Sequence, residues 1–324
     1  DGRYYLLIAE GGTSFNHAVM VALSDNIEGP YISNPRNPII TSRHLTYDNW
    51  VNSTGHGDII ELDDGRNYMV LLGIRNLIER GSNMGRETFI VPLSWEREPF
   101  EWKEIKHLWP VVSPETGRVE ILNNVVFNNT IQNNDRSFID NFETESLHLN
   151  WNFRRYPLQD IYQINKEESR LNLLCHPNKI KERGRAALLG FKQTESDYEY
   201  LTKMYFQPNS SDSEAGISLF QKDDNYINFT IIKKGDKHHL QAYVVKKGEI
   251  LEIIKDELKQ YKGHIKLKVI ADKEHYKFYY SLKGIDFKLF ASLEGSYLKS
   301  NGYTGAHLGL YATGNGKNNQ DFAS

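Results

Sequence analysis

Two short segments carry side chains able to do chemistry. Gly55-His56-Gly57-Asp58 and Gly85-Arg86-Glu87-Thr88 each set a polar, hydrogen-bonding group directly after a glycine and at the mouth of an apolar run. A histidine and an arginine so placed open strands, and strand ends line the pocket of a closed β-fold. Acids stand near them, in or beside turns: Glu10, Asp58, Asp63, Asp64 and Glu87. Glycosidic cleavage typically uses two carboxylates facing each other across the bond, one protonated as acid and one ionised as base or nucleophile. Glu10 with Asp58, or Glu10 with Glu87, meets that need by residue type. The plainer alternative is structural: Asp63-Asp64-Gly65 is an ordinary hairpin turn, and an acid at a strand end commonly binds backbone amides or an arginine.

Other chemistries lack their residues. His17 and His56 form no metal pattern beyond the weak His56/Asp58 spacing, so zinc is not expected. No glycine-rich phosphate loop precedes a helix, and there is no Gly-X-Ser-X-Gly elbow. The single cysteine, Cys175, permits no disulfide within the chain. A net charge of -3 gives no electrostatic footprint for DNA or RNA. No stretch approaches a membrane-spanning run of about 18 apolar residues. The first residues, Asp-Gly-Arg-Tyr-Tyr, are no signal peptide and read as the middle of a protein. Compartment stays open on this evidence, with secretion or periplasm favoured over cytoplasm. Sequons at Asn52, Asn128, Asn209 and Asn228 matter only in a glycosylating host.

The elements that must position these groups are strands. Residues 3–9 and 18–24 read as buried strands, separated by Glu10-Gly11-Gly12-Thr13, and strands resume at 59–62, 67–73 and 88–95. Aromatics, at 12% of the chain, favour strands and also offer flat faces to sugar rings. Gly, Pro and Asp-Gly turns without a 3.6-residue apolar period predict antiparallel sheets of a sandwich, barrel or propeller. The length of 324 residues predicts two packed units. The asparagine-rich stretch near 123–134 suits a linker. Beyond Phe138 an antiparallel meander is legible: 226–233, 239–245, 250–255, 264–271, 276–282 and 287–290. Its period-2 alternation, as in Ile265-Lys266-Leu267-Lys268-Val269, indicates a β-sandwich with wet lysines. Residues 251–261 are also read as able to form a helical turn.

In order along the chain, Asp1-Gly2-Arg3-Tyr4-Tyr5 through Glu10-Gly11-Gly12-Thr13, Asn16-His17-Ala18, Gly29-Pro30-Tyr31, Asn34-Pro35-Arg36-Asn37-Pro38-Ile39, Gly55-His56-Gly57-Asp58 and Gly85-Arg86-Glu87-Thr88 resemble the second half of a glycoside hydrolase family 43 domain. Gly184-Arg185-Ala186, Glu214-Ala215-Gly216-Ile217, Gln221 to Tyr226, Tyr303-Thr304-Gly305-Ala306 and Gly309-Leu310-Tyr311 resemble the concanavalin-like sandwich appended to β-xylosidases and α-L-arabinofuranosidases of that family. The ordered set spans nearly the whole chain.

The resemblance implies an all-β chain. Residues 1–122 would be roughly the last two blades of a five-bladed β-propeller, 123–137 a linker, and 138–324 a jelly-roll sandwich. It implies an inverting hydrolase acting on xylo- or arabino-oligosaccharide, with no cofactor required. Its three catalytic acids would lie before residue 1, so the fragment alone is expected to be inactive. Arg86 matches the arginine that contacts sugar hydroxyls. His56 matches the histidine near the propeller axis that holds a water, a cation or a catalytic carboxylate. Thr13 matches a pocket-wall residue, and Tyr303 an aromatic that closes the pocket from the sandwich, where relatives carry Phe. Asp140 lies where such sandwiches can bind a structural calcium. The alternatives are an arginine paired with Glu87 and a satisfied core histidine. At the level of the chain they are a non-catalytic carbohydrate-binding protein working through its sandwich, and an interaction platform with no sugar role.

Overall fold

The structure, a computed structural model, describes residues 2–77, 81–102, 105–121, 137–155, 159–300, 302 and 304–324. The chain divides into two compact units, Asp1–Asn133 with Ser300–Tyr303, and Asn134–Lys299 with Thr304–Ser324. The expected linker, 123–137, lies outside the described residues except for Ser137.

The first unit is built from two four-stranded antiparallel sheets and a short hairpin. In one sheet β1 (Tyr4–Glu10) pairs with β2 (Ala18–Ser24), which carries β3 (Ile32–Ser33) and β4 (Ile40–Thr41) on its other side. The run Ala-Val-Met-Val-Ala-Leu of β2 is apolar on both faces because both faces are covered, as its burial shows. β1 instead alternates. Tyr5 and Leu7 pack inward, whereas Tyr4, Leu6 and Ile8 stand 41–43% exposed. Gly11 permits the turn from β1 to β2: it holds φ +77°, and a Cβ there would lie 2.0 Å from the Asn16 carbonyl oxygen.

The second sheet runs in the order β10-β7-β6-β5, where β5 is Val51–Glu61, β6 Asn67–Arg75, β7 Glu87–Trp95 and β10 Pro110–Val112. Between β7 and β10, β8 (Phe100–Trp102) and β9 (Ile105–His107) form the hairpin. Asp63-Asp64-Gly65 makes the β5–β6 turn, where Asp64 accepts bonds from the Arg66 amide and guanidinium. Val19, Met69, Leu71, Val91 and Leu93 form the core of this unit.

The second unit is a β-sandwich. After β11 (Trp151–Phe153), β12 (Tyr162–Asn165), β13 (Arg170–Leu174), β14 (Ala187–Lys192) and β15 (Tyr198–Tyr205) comes a three-strand meander, β16 (Glu214–Lys222), β17 (Asn225–Lys234) and β18 (Lys237–Lys246). It continues into β19 (Glu249–Glu257) at the edge of a seven-stranded sheet whose order is β11-β14-β23-β16-β17-β18-β19, with β23 at His307–Thr313. β20 (His264–Ala271), β21 (His275–Ser281) and β22 (Lys288–Glu294) join β15 in the four-stranded sheet. The meander legible in the sequence is therefore split between two sheets. Ile217, Phe229, Leu240, Leu267, Val269 and Phe278 fill the space between them. A third sheet, β12-β13-β24, ends on β24 (Phe322–Ala323).

Residues 251–257 form strand rather than the helical turn considered from sequence. Pairing with β18 from His239↔Glu257 to Lys246↔Glu249 supplies the hydrogen bonds that decide between the two.

Candidate functional site

His56 does not open a strand; it sits inside β5. That strand loses register with β6 between Asn52 and Gly55, and again between Gly55 and Asp58. Ser53 and His56, within the two irregularities, hold φ +56° and +51°. A non-glycine residue in that region costs about 1–3 kcal/mol and persists only where its surroundings hold it there. The irregularities re-aim side chains, as bulges do: His56 is exposed while both flanking glycines are buried. Each glycine makes room for a neighbour. A Cβ at Gly55 would lie 2.5 Å from the His17 ring, and one at Gly57 would lie 2.6 Å from the Met69 sulfur.

His17, which sequence reasoning passed over, is the buried member of this group, at 2% exposure. Its Nδ1 lies 3.0 Å from the Ser53 carbonyl oxygen, so Nδ1–H donates and Nε2 is left as the acceptor nitrogen of the neutral ring. The Thr41 hydroxyl donates to the His17 carbonyl at 2.7 Å. Burial pulls the His17 pKa below its ordinary value, the Ser53 bond opposes that, and the nearby charges of Arg86 and His56 push it further down. The charges of Arg86 and His56, from two other stretches of sequence, thus reach the buried His17 ring. A histidine immediately before a wholly apolar strand was the available signal for His17.

Arg86 is half-buried and enters β7 directly after Gly85, whose φ is +68°. Glu87, named above as the alternative partner for Arg86, is bound by Arg75. Both Glu87 oxygens accept from Arg75, Oε2 from Nε and Oε1 from a terminal nitrogen, each at 2.7 Å. Glu10 ends β1 with an oxygen 3.6 Å from Arg43. Asp58 is exposed beyond the second irregularity, and Asp63 and Asp64 belong to the hairpin turn. Thr13 is exposed in the turn between β1 and β2. Tyr303 lies outside the described residues. Ser300, two residues before Gly302, exchanges backbone hydrogen bonds of 3.0 and 2.9 Å with Ser82, on the approach to Arg86.

Asp140, in the sandwich, is engaged by protein donors. Its Oδ1 accepts the Phe142 amide at 2.8 Å and its Oδ2 the Trp151 indole N–H at 2.7 Å. Asp321 likewise accepts the amides of Asn209 and Ser210 and the hydroxyl of Ser213. Among the described residues no group of three or more His, Cys, Asp or Glu could hold a metal. Both oxygens of Asp140, the residue named above for calcium, accept hydrogen bonds from the protein. Of the sequon asparagines, Asn52 and Asn228 are buried in the fold. No helix among the described residues is long and apolar enough to cross a membrane.

A second buried polar group lies in the sandwich. Glu214, 2% exposed, accepts hydrogen bonds from the hydroxyls of Thr230 at 2.7 Å and Tyr243 at 2.9 Å and from the Asn315 amide at 3.0 Å. Burial raises the Tyr243 and Tyr311 phenols well above their ordinary range, with the charge of Glu214 adding to it, so both stay protonated.

Comparison with known proteins agrees with this division. Residues 1–99 match the model of glycosyl hydrolases family 43, and residues 139–324 that of the beta xylosidase C-terminal concanavalin A-like domain. A xylosidase/arabinosidase of Butyrivibrio fibrisolvens is 30% identical over 99% of this chain and 61% of its own length. A non-reducing end alpha-L-arabinofuranosidase of Bacteroides ovatus is 26% identical over 98% of this chain and 58% of its own. The solved structure of a Bacteroides ovatus xyloglucan-locus GH43B superposes with a TM-score of 0.87 at 25% identity, covering 99% of this chain and 62% of that one. That of the GH43 protein BlXynB from Bacillus licheniformis gives 0.84 at 25%, covering 100% and 61%. The chain spans about three fifths of the length of these relatives.

Proposed function

The chain belongs to glycosyl hydrolase family 43, in the group with a C-terminal concanavalin A-like domain, and we propose that it is part of a glycosidase removing terminal β-xylosyl or α-L-arabinofuranosyl residues from hemicellulose oligosaccharides. The observation that carries this reading is the irregular strand β5, which exposes His56 next to the Gly55 that seats the buried His17 ring, inside the region matched by the hydrolase model. In this reading the planar guanidinium of Arg86 donates to sugar hydroxyls. His56 holds a water or a carboxylate, turned outward by the irregularities of β5. Thr13 forms wall, and Tyr303 closes the pocket.

Hydrolysis with inversion needs an acid and a base set about 6.5–9.5 Å apart, leaving room for the attacking water. We assign those acids to the part of the relatives' length that this chain does not span. The reading draws support from Glu87, held by Arg75, and from β1, whose outer edge is unpaired among the described residues and whose Tyr4, Leu6 and Ile8 form an exposed apolar stripe. Such an edge calls for a covering element. The two four-stranded sheets then correspond to the last two blades of a five-bladed propeller, with the linker at 123–137. Assays with nitrophenyl β-xyloside and α-L-arabinofuranoside test the reading. Residues 1–324 alone are expected to give no turnover and the full-length protein measurable turnover. Turnover by residues 1–324 would overturn the placement of the acids, and an inactive full-length protein the glycosidase itself.

A further inference from the structure

Lys203 of β15 and Lys266 of β20 stand directly opposite each other on the outer face of the four-stranded sheet. Like charges in that position repel. Among the described residues neither lysine has a carboxylate partner, whereas Lys268, one pair further along the same face, is 3.6 Å from Glu199 and lies over the Phe287 ring at 4.3 Å. The unpaired lysines border a cleft of about 370 Å³, which Arg170 also lines. The one carboxylate side chain lining it, Glu168, is 3.3 Å from Arg170, so the cleft keeps a net positive charge.

An aromatic wall adjoins the charge. Tyr205 and His264 are the next opposed pair, with ring centroids 4.8 Å apart and planes tilted by 52°. Tyr205 remains 38% exposed. Its ring is seated over Gly263, where a Cβ would come within 2.5 Å of it, so any larger residue there would displace the ring. Flat apolar rings bind the face of a sugar, and two adjacent ammonium groups bind a carboxylate. The cleft volume suits a ligand of that size.

We propose that this cleft binds a carboxylate-bearing sugar unit, a uronosyl residue, with Lys203 and Lys266 on the carboxylate and Tyr205 against the ring. The site lies wholly in the sandwich and does no bond-breaking. Its place on a hemicellulose chain rests on the function proposed above; the anion chemistry does not. Bound carboxylate relieves the repulsion between the lysines, so affinity falls as salt rises.

Calorimetric titration of residues 1–324 with glucuronic acid, a glucuronosyl xylotriose, plain xylotriose and inorganic sulfate tests the proposal. Saturable binding of both acidic sugars, about tenfold tighter than xylotriose and weakened about fivefold or more by Lys203→Met or Lys266→Met, is the expected result. Tyr205→Ala is expected to weaken the sugars and leave sulfate unchanged. Both lysine variants should melt no lower than the parent, since each removes a repulsion. Equal binding of neutral and acidic sugars, indifference to both lysine variants, or sulfate binding as tight as glucuronic acid would each overturn the assignment. No arm of this titration reads turnover, so absence of hydrolysis bears on the glycosidase reading and leaves the binding assignment as it stands.

Discussion

Gly55 and His17 occupy one space: the imidazole lies where a side chain at residue 55 would begin, 2.5 Å from the ideal Cβ position. Thirty-eight residues of sequence separate them, yet the ring's Nδ1 is tied to Ser53 on the same strand. The irregular backbone of β5 and the buried histidine are therefore one construction.

Gly55→Ala is expected to destabilise the first unit by roughly 1–3 kcal/mol, because the added methyl overpacks a site with no slack. Urea unfolding measures it. In a His17→Ala background the same change should cost clearly less, giving a coupling of at least about 0.5 kcal/mol in a double-mutant cycle. Additive effects would show that the ring does not fill that space.

Arg86→Met should raise the pKa of His17, since it removes a positive charge that disfavours the imidazolium. NMR titration of the His17 ring reads this directly. The folded pKa lies below the unfolded value of about 6.5, so the unfolded chain binds more protons as pH falls. The contribution of His17 to stability is thus complete above that value and is lost as pH drops from it toward the folded pKa. Arg86→Met is expected to shrink the loss. An unchanged titration would show that the charge of Arg86 does not reach the ring.

On the reading proposed above, Glu87→Gln in an active form spanning the relatives' whole length should leave the pH dependence of turnover unchanged and lower stability by about 1 kcal/mol, because Glu87 is held by two bonds from Arg75. A collapse of kcat with a lost pH limb would make Glu87 the acid after all.

Glu214→Leu leaves the Thr230, Tyr243 and Asn315 donors buried without their acceptor. A loss of about 3–5 kcal/mol from the sandwich is expected, with Glu214→Gln milder because it keeps one carbonyl acceptor. Thermal melts of both variants check the order.

Cys175 is fully buried, and burial, aided by the charges of Asp321 and Glu214, pushes its thiol up to about 12. It should resist disulfide reagents at pH 8 in the folded protein and react in full on denaturation. Rapid labelling without denaturant would contradict the burial.

Much of the architecture was legible because strands announce themselves locally. Ile265-Lys266-Leu267-Lys268-Val269 alternates as β20 does, and the turns at Gly235 and Gly248 fall between paired strands of the meander. The residues of interest at 56 and 86 were legible by type as well, while Tyr303 lies outside the described residues.

By itself the sequence determined strand period, turn positions and the resemblance to a sugar-cleaving family, since these depend on neighbours a few residues apart. Tertiary structure decided what those neighbours cannot encode. Ladder pairing with β18 made 251–257 a strand, and misregister with β6 put His56 inside β5. Burial against Gly55 made His17 a neutral ring acted on by the charges of His56 and Arg86, and the sheet paired Glu87 with Arg75. The physical reason is that hydrogen-bond register, desolvation and charge pairing are settled between residues far apart in sequence, after the sheets have formed. A chain read locally shows which residues could meet; only the packed sheets show which ones do.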